Sequence, residues 1–174
     1  MMKALLFTAL LPTIIAAVIV ATVGCVSMAE SMERDVFHEL RVAAEGLKEY
    51  YERDIINSGN NQPEYGHDYV DAFSEDGIQL TLFLDDVRYI SSIKDPGNES
   101  GRSEGSAADE EIWARVSKGE EYEAKGVSID GKDYYVAYLP IEDGTGKVIG
   151  MAFAGKEEAL VNASINSIAM KLIL

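Results

Sequence analysis

The sequence predicts an α+β domain in which a long N-terminal helix, continuous with a transmembrane helix, packs on an antiparallel sheet of about five strands. Three observations support this fold. Residues 4–29 contain no charged side chain, residues 28–55 repeat apolar positions at helical spacing, and tight turns separate most of the strand-like segments that follow. The chain is also acidic, with 30 Asp and Glu residues against 15 Lys and Arg, for a net charge of −15. Such a surface repels phosphate, so the composition excludes a basic nucleic-acid-binding protein.

Residues 1–29 are predicted to form a transmembrane signal anchor. The uncharged stretch is longer than the roughly 20 apolar residues that cross a bilayer as a helix, and a cleaved signal peptide has a shorter one. Lys3 precedes the stretch and acidic residues follow it, which places the N-terminus in the cytoplasm and the body of the chain outside. A lipoprotein signal ending at Cys25 is the alternative, because Gly24-Cys25 resembles the end of a lipobox. Thr22, three residues before the cysteine, argues against lipidation, since an aliphatic residue is usual there.

The membrane helix is predicted to continue into the next segment as one rod. No Gly or Pro interrupts the junction, and residues 28–55 are rich in helix-forming residues. Their apolar positions form one narrow stripe: Met28, Met32, Val36, Leu40, Ala43, Leu47 and Tyr51. The stripe predicts packing on the chain's own sheet, on a second copy of the chain as a homodimer, or on both.

The remaining body, residues 30–164, is predicted to alternate strands and turns after a loop at residues 57–75. Five strands are expected, at residues 78–84, 87–93, 121–129, 132–142 and 147–155. A short helix at residues 107–119 separates the second strand from the third, and a last helix starts at residue 156. Asp85-Asp86 and Asp130-Gly131 predict tight hairpin turns. Residues 165–174 resemble the start of a second transmembrane helix, so the chain is interpreted as a piece of a longer protein.

Several short motifs follow one another along the body. They are Arg88 in a strand, Gly101-Arg102 in the next loop, Gly131, Tyr134, Tyr138 and Pro140 around one hairpin, and Gly146-Lys147-Val148-Ile149-Gly150 in the last strand. In this order they resemble the single Cache domain, a PAS-like sensing module of bacterial membrane receptors. Ser106 departs from the family, which often has Thr there. The resemblance implies the extracytoplasmic part of a methyl-accepting chemotaxis protein; the sensor domain of a membrane histidine kinase and a lipid-anchored solute-binding protein are the alternatives.

Five residues are predicted to contact a small-molecule ligand: Arg88, Ser92, Arg102, Tyr134 and Tyr138. Strand alternation places Arg88, Ile90 and Ser92 on one face of the sheet. A guanidinium group matches a carboxylate, and tyrosines give apolar walls with hydroxyl tips, so a small organic acid or an amino acid is the expected ligand. The alternatives are a salt bridge for Arg88, a core role for Tyr134 and Tyr138, and a solvated loop position for Arg102.

We expect no catalytic activity, metal or cofactor. The sequence has no Gly-x-Ser-x-Gly motif, P-loop, EF-hand or cluster of His and Cys residues. His38 and His67 are interpreted as solvated side chains, because no second His or Cys lies at ligand spacing. Cys25 is the one cysteine of the chain, which excludes a disulfide scaffold.

Overall fold

The computed structural model confirms the predicted α+β architecture. It describes the backbone of residues 2–58 and 67–173, and the side chains of residues 10–53, 67–168 and 170. The elements are helix α1 (Met2–Ser58), helix α2 (Asp68–Asp71), a 3-10 turn (Ser74–Asp76), strands β1 (Ile78–Leu84) and β2 (Val87–Ser91), helix α3 (Glu110–Val116), strands β3 (Tyr122–Ile129), β4 (Lys132–Glu142) and β5 (Val148–Glu157), and helix α4 (Glu158–Ile173). The five strands form one antiparallel sheet in the order β2-β1-β5-β4-β3.

Helix α1 is continuous from the apolar N-terminal segment into the body, as predicted. The part that runs from Leu10 to Arg53 includes a stretch long and apolar enough to cross a membrane. Farther along the same helix, Leu40, Ala43, Leu47 and Tyr51 of the predicted stripe are buried against the sheet. One rigid element therefore joins the candidate membrane span to the domain core.

The sheet buries apolar side chains on both faces. One face packs on α1 and presents Leu80, Leu82, Leu139, Ile141, Ala152 and Ala154. The other face presents Phe83, Tyr134, Val136, Tyr138, Met151 and Phe153, and is covered by Ile112 and Val116 of α3. We call this second surface the covered face, because α3 and the loop of residues 92–109 lie over it.

The predicted hairpin turns are present, and they set the strand register. Asp130 and Gly131 both have positive φ angles, of 50° and 78°, as a type I′ turn requires. Asp85 has a φ of 50° in the turn between β1 and β2. Asp143 fixes the turn between β4 and β5, since its carboxylate accepts hydrogen bonds from the backbone N–H groups of Thr145 and Lys147.

Two predicted segments extend past the described residues. In the predicted loop of residues 57–75, residues 59–66 lie outside the description, and α2 with the 3-10 turn supplies local helix beyond them. Helix α4 continues directly from β5 to Ile173. The role of residues 165–174 as the start of a second membrane helix stays a prediction.

Candidate ligand-binding site

A β-bulge in β2 decides which way Arg88 points. Leu82 pairs with Ile90 and Phe83 pairs with Arg88, so Tyr89 is an extra residue in the strand. Arg88 consequently lies over the ring of Phe83 on the covered face, 5.3 Å from the ring centroid, while Ile90 packs in the core against α1. The prediction that Arg88 and Ile90 share a face is wrong, because the bulge interrupts the alternation.

The Arg88 side chain is buried without a carboxylate partner among the described residues. Its exposed fraction is 9%, and its Nη1 donates to Ser106 Oγ at 2.8 Å and to the Ala107 carbonyl at 3.1 Å. Burying an unpaired charge is costly, and these bonds together with the contact on Phe83 offset part of that cost. The predicted salt bridge is therefore not the arrangement found. Arg88 holds the loop of residues 92–109, which we call the covering loop, against β2.

Arg102 is fixed by an ion pair with helix α2. Its Nη1 and Nη2 atoms lie 2.8 and 2.6 Å from the two carboxylate oxygens of Asp71, and Nη1 also donates to the Ser91 carbonyl at 2.7 Å. Only 14% of the side chain is exposed, so the solvated alternative for Arg102 is wrong. This bidentate contact holds the covering loop against α2.

A second side-chain contact joins His67 to the same loop. His67 Nε2 lies 2.7 Å from Glu104 Oε1, and this oxygen also accepts a hydrogen bond from the backbone N–H of Ser91. The His67 side chain is 40% exposed, as expected of a solvated loop residue, and its ring has this specific partner in addition. The covering loop is thus held in three places. Arg88 of β2 bonds to it, and its own residues Arg102 and Glu104 bond to Asp71 and His67.

Ser92 and Tyr138 have structural contacts in this arrangement. The Ser92 hydroxyl donates to Gln79 Oε1 at 2.9 Å and accepts from the Leu80 backbone N–H at 2.9 Å, which ties β1 to the segment after β2. Tyr138 is 1% exposed, and its ring centroid lies 5.0 Å from that of Phe153. Burial raises the pKa of the Tyr138 hydroxyl well above its ordinary value. The core alternative for Tyr138 matches its position, and ligand contact by either residue stays a prediction.

Aromatic rings fill the centre of the covered face. Phe83 and Phe153 flank Tyr138, with ring centroids 6.0 and 5.0 Å from it. The Phe153 ring lies over Gly155, where an added Cβ would overlap Cζ of that ring. Tyr138 is therefore packed among aromatic rings at the centre of this face, and Arg88 lies over one of those rings.

Open space on the covered face lies at the end where β4 begins and β5 ends. A pocket of about 160 Å³ is lined there by Gln79, Ile93, Lys94, Ile129, Asp130, Lys132, Tyr134 and Glu157, and we call it the end pocket. Lys132 Nζ lies 2.6 Å from Glu157 Oε1, and the Tyr134 hydroxyl donates to the same oxygen at 3.4 Å. Burial and, to a smaller extent, the negative charge of Glu157 together raise the pKa of Tyr134 to about 12.

The end pocket contains one predicted ligand residue, Tyr134, and several that sequence reasoning missed. Lys94, Asp130, Lys132 and Glu157 lie just outside or at the ends of strands, where charged residues are ordinary turn and surface residues. The order of the predicted strands indicates this grouping, since antiparallel pairing brings the start of β4, the end of β5 and the end of β3 to the same end of the sheet.

The ion pair between Asp71 and Arg102 predicts a specific acid sensitivity. Hydrogen bonds from Arg102 lower the pKa of the Asp71 carboxyl, although partial burial acts the other way. Because the Asp71 carboxyl has a lower pKa in the folded protein than in the unfolded chain, its ionised form stabilises the fold at every pH above the unfolded pKa of about 4. This stabilisation is lost as the pH falls through the pKa of the folded protein. Asp71→Asn is expected to cost about 1 kcal/mol at pH 7, since solvent screens the carboxylate.

Thermal unfolding of the two proteins from pH 7 to pH 2 checks this prediction. The difference in melting temperature between wild type and Asp71→Asn should shrink as the pH falls below about 4. Asp68→Asn, in the same short helix, is the matched control. A difference that stays constant across the whole pH range would show that the ion pair is not its source.

Three solved structures resemble this fold. The Escherichia coli DcuS sensor domain is similar over 72% of this chain and 98% of its own, with 21% sequence identity and a TM-score of 0.46. The periplasmic sensory domain of the Campylobacter jejuni chemoreceptor Tlp1 matches over 82% of this chain and 61% of its own, with 13% identity and a TM-score of 0.45. The periplasmic domain of RsbU from Chlamydia trachomatis matches over 78% of this chain and 55% of its own, with 11% identity and a TM-score of 0.41.

The sequence itself matches a family. No curated protein sequence matches this chain. The family model described as single cache domain 3 matches residues 61–168, which span the candidate site, all five strands and most of α4. This match covers more than half of the chain and agrees with the resemblance found in its motifs. The chain therefore belongs to the single Cache domain family.

Proposed function

We propose that the chain is the extracytoplasmic ligand-sensing part of a bacterial transmembrane chemoreceptor, a methyl-accepting chemotaxis protein. The observation that carries the proposal is the continuity of α1, which runs from a stretch apolar enough to span a membrane into the core of a single Cache domain. A ligand that changes the packing of the sheet would act directly on this helix. The domain serves as a sensor and has no catalytic role, and its signal leaves through α1 and α4.

Ion pairs along α1 support a mechanical connection between sheet and helix. Glu33 accepts from Lys125 of β3 at 2.7 Å and from the Tyr135 hydroxyl of β4 at 3.2 Å. Lys156 of β5 lies 3.1 Å from Glu39. Each exposed pair contributes little to stability because solvent screens it, yet together the pairs connect three strands to the same part of the helix. Ligand binding would then favour one of two positions of α1 relative to the sheet.

The proposal includes a homodimer formed through α1. Val42 is 53% exposed on the part of the helix that packs on the sheet with its other side. Apolar side chains on a helix that also anchors the domain in a membrane are suitable for pairing with a second copy. Two copies would place two anchors side by side, so a shift of one helix against the other is a signal that crosses the bilayer.

Ligand binding to the full chain tests the proposed function. The chain is reconstituted in phosphatidylcholine nanodiscs and titrated calorimetrically with a panel of organic acids and amino acids. We expect at least one member to bind and to raise the melting temperature, because a ligand that binds only the folded state stabilises it. Failure of every acid and amino acid to bind would contradict the proposal. Arg88→Ala that keeps the wild-type affinity would remove Arg88 from the contact residues.

The alternatives predict different sequence contexts. A chemoreceptor requires an apolar stretch and a long heptad-rich segment in the reading frame after Leu174, whereas a sensor kinase requires a kinase domain there. A lipid-anchored solute-binding protein requires modification of Cys25, which is exposed on α1. Incorporation of radioactive palmitate at Cys25 would therefore favour the lipid-anchored protein over the receptor.

A further inference from the structure

The end pocket is an open space at one end of the covered face, whose centre is closed by aromatic rings. Its volume of about 160 Å³ is room for about five water molecules at about 30 Å³ each. Ile93, Ile129 and the ring of Tyr134 supply the apolar wall, and the Gln79 amide and four charged side chains supply the rest. A concave site with apolar walls and a few polar groups is the usual form of a small-molecule site.

The charges that line the end pocket are balanced. Lys94 and Lys132 are positive, and Asp130 and Glu157 are negative. Lys132 lies 2.6 Å from Glu157, whereas Lys94 has only a loose contact, 3.9 Å from Asp71, and 63% of its side chain is exposed. Lys94 is thus the cation most available to an incoming anionic group.

Three residues that line this space also have a polar atom without a hydrogen-bond partner among the described residues. Asp130 accepts from Ser103 Oγ through Oδ2, at 2.6 Å, and Glu157 uses Oε1 for both of its contacts. Among the described residues, the second oxygen of each carboxylate has no hydrogen-bond donor. The Gln79 amide accepts from Ser92 through Oε1, and its Nε2 likewise has no acceptor in the described part of the chain.

We propose that the end pocket binds a compact zwitterion, a molecule with one primary ammonium group and one anionic group. The anionic group meets Lys94 and the Gln79 amide N–H, and the ammonium group meets the free oxygens of Asp130 and Glu157. A dicarboxylate would set its second carboxylate against two acids, and a simple amine would leave Lys94 unmatched. This inference rests on the proposed function, because it identifies the ligand class and the site of the same sensor.

The position of the end pocket allows two sources for such a zwitterion. Glu33 of α1 bonds to Tyr135 and the Glu52 carboxylate bonds to the Glu142 N–H, so β4 and α1 run in the same direction. Lys132 lies three strand residues before Tyr135, so it is about 10 Å nearer the N-terminus of α1. A distance of about 10 Å corresponds to about seven residues of helix, counted back from Glu33. The hairpin tip therefore reaches the outer end of the apolar segment, where either a free amino acid from solution or a phosphoethanolamine lipid headgroup could enter the pocket.

Two variants of the full chain test the proposal. Binding of the twenty amino acids, their N-acetyl and decarboxylated derivatives, and succinate is measured in phosphatidylcholine nanodiscs, whose headgroups lack a primary ammonium group. Lys94→Met and Glu157→Gln are each expected to weaken amino-acid binding about tenfold or more, because each removes a charge-assisted hydrogen bond. Lys147→Met, an exposed lysine in the turn between β4 and β5, is the matched control and should bind as wild type does. A second arm repeats the titration in nanodiscs that contain phosphatidylethanolamine.

The outcomes separate this inference from the proposed function. Amino-acid binding that both variants weaken supports the zwitterion site, and competition by phosphatidylethanolamine would support the same site with a headgroup as a source. Binding that neither variant changes, or a preference for succinate over every amino acid, would overturn the inference and leave ligand sensing intact. Failure of this panel, together with failure of the organic acids that test the proposed function, would overturn both. Lys94 is largely exposed, so its variant stays informative even where Glu157→Gln disturbs folding.

Discussion

Gly150→Ala is expected to lower the free energy of unfolding by about 3 kcal/mol or more. Gly150 lies in β5 between Leu84 of β1 and Ile141 of β4, and an added Cβ would overlap the carbonyl oxygen of Phe83 and come within 3.1 Å of its carbonyl carbon. Both atoms belong to the backbone of β1, so no side-chain rotation relieves the contact. The two strands would have to separate locally, which breaks ladder hydrogen bonds in the middle of the sheet.

Thermal unfolding followed by tyrosine and tryptophan circular dichroism measures this effect. The melting temperature should fall by about 10 °C, at about 3 °C per kcal/mol for a domain of this size. Gly144→Ala is the matched control, since Gly144 has open space around it and should unfold like the wild type. If Gly150→Ala unfolds within 2 °C of the control, at about 3 °C per kcal/mol, the close approach of β5 to β1 is not present in solution.

The elements of the fold could be predicted from local sequence patterns. The type I′ turn at Asp130-Gly131 follows from residue type, because these residues tolerate positive φ, and the burial of Leu40 and Leu47 follows from helical spacing. The β-bulge at Tyr89 could not be predicted in this way. It depends on how β2 meets β1 across the hairpin and on the loop that Arg88 holds, and the residue type at Tyr89 signals neither.

The candidate site was predicted less well, for a related reason. Residue type alone points to Arg88, Arg102 and Tyr138, since arginine and tyrosine are typical of ligand sites. The structure gives them partners that spacing cannot reveal: Asp71 lies 31 residues from Arg102, and Phe153 lies beside Tyr138 on the neighbouring strand. The residues that line the open space come instead from strand ends, where sequence alone does not distinguish a pocket from solvent.

The packing at the centre of the covered face leads to the second large prediction, that Phe153→Ala lowers the free energy of unfolding by about 3–5 kcal/mol. Phe153 is 1% exposed and its ring contacts Tyr138 on β4. Removing the ring costs its transfer free energy, and the cavity left between Gly155 and Tyr138 costs more because the flanking β-strands cannot collapse into it. The melting temperature should fall by about 10–15 °C.

Phe153→Leu is the matched control, because it keeps most of the apolar volume and should cost about half as much. The pair also tests why the end pocket is the open one. If Phe153 closes the centre of the face, Phe153→Ala should bind a small apolar probe such as benzene, and saturating probe should recover part of the lost stability. Wild type and Phe153→Leu should show no such response. A Phe153→Ala protein that is as stable as Phe153→Leu, with or without the probe, would mean that the centre of the covered face is not packed as described, and that a ligand has access to Arg88 and Tyr138 after all.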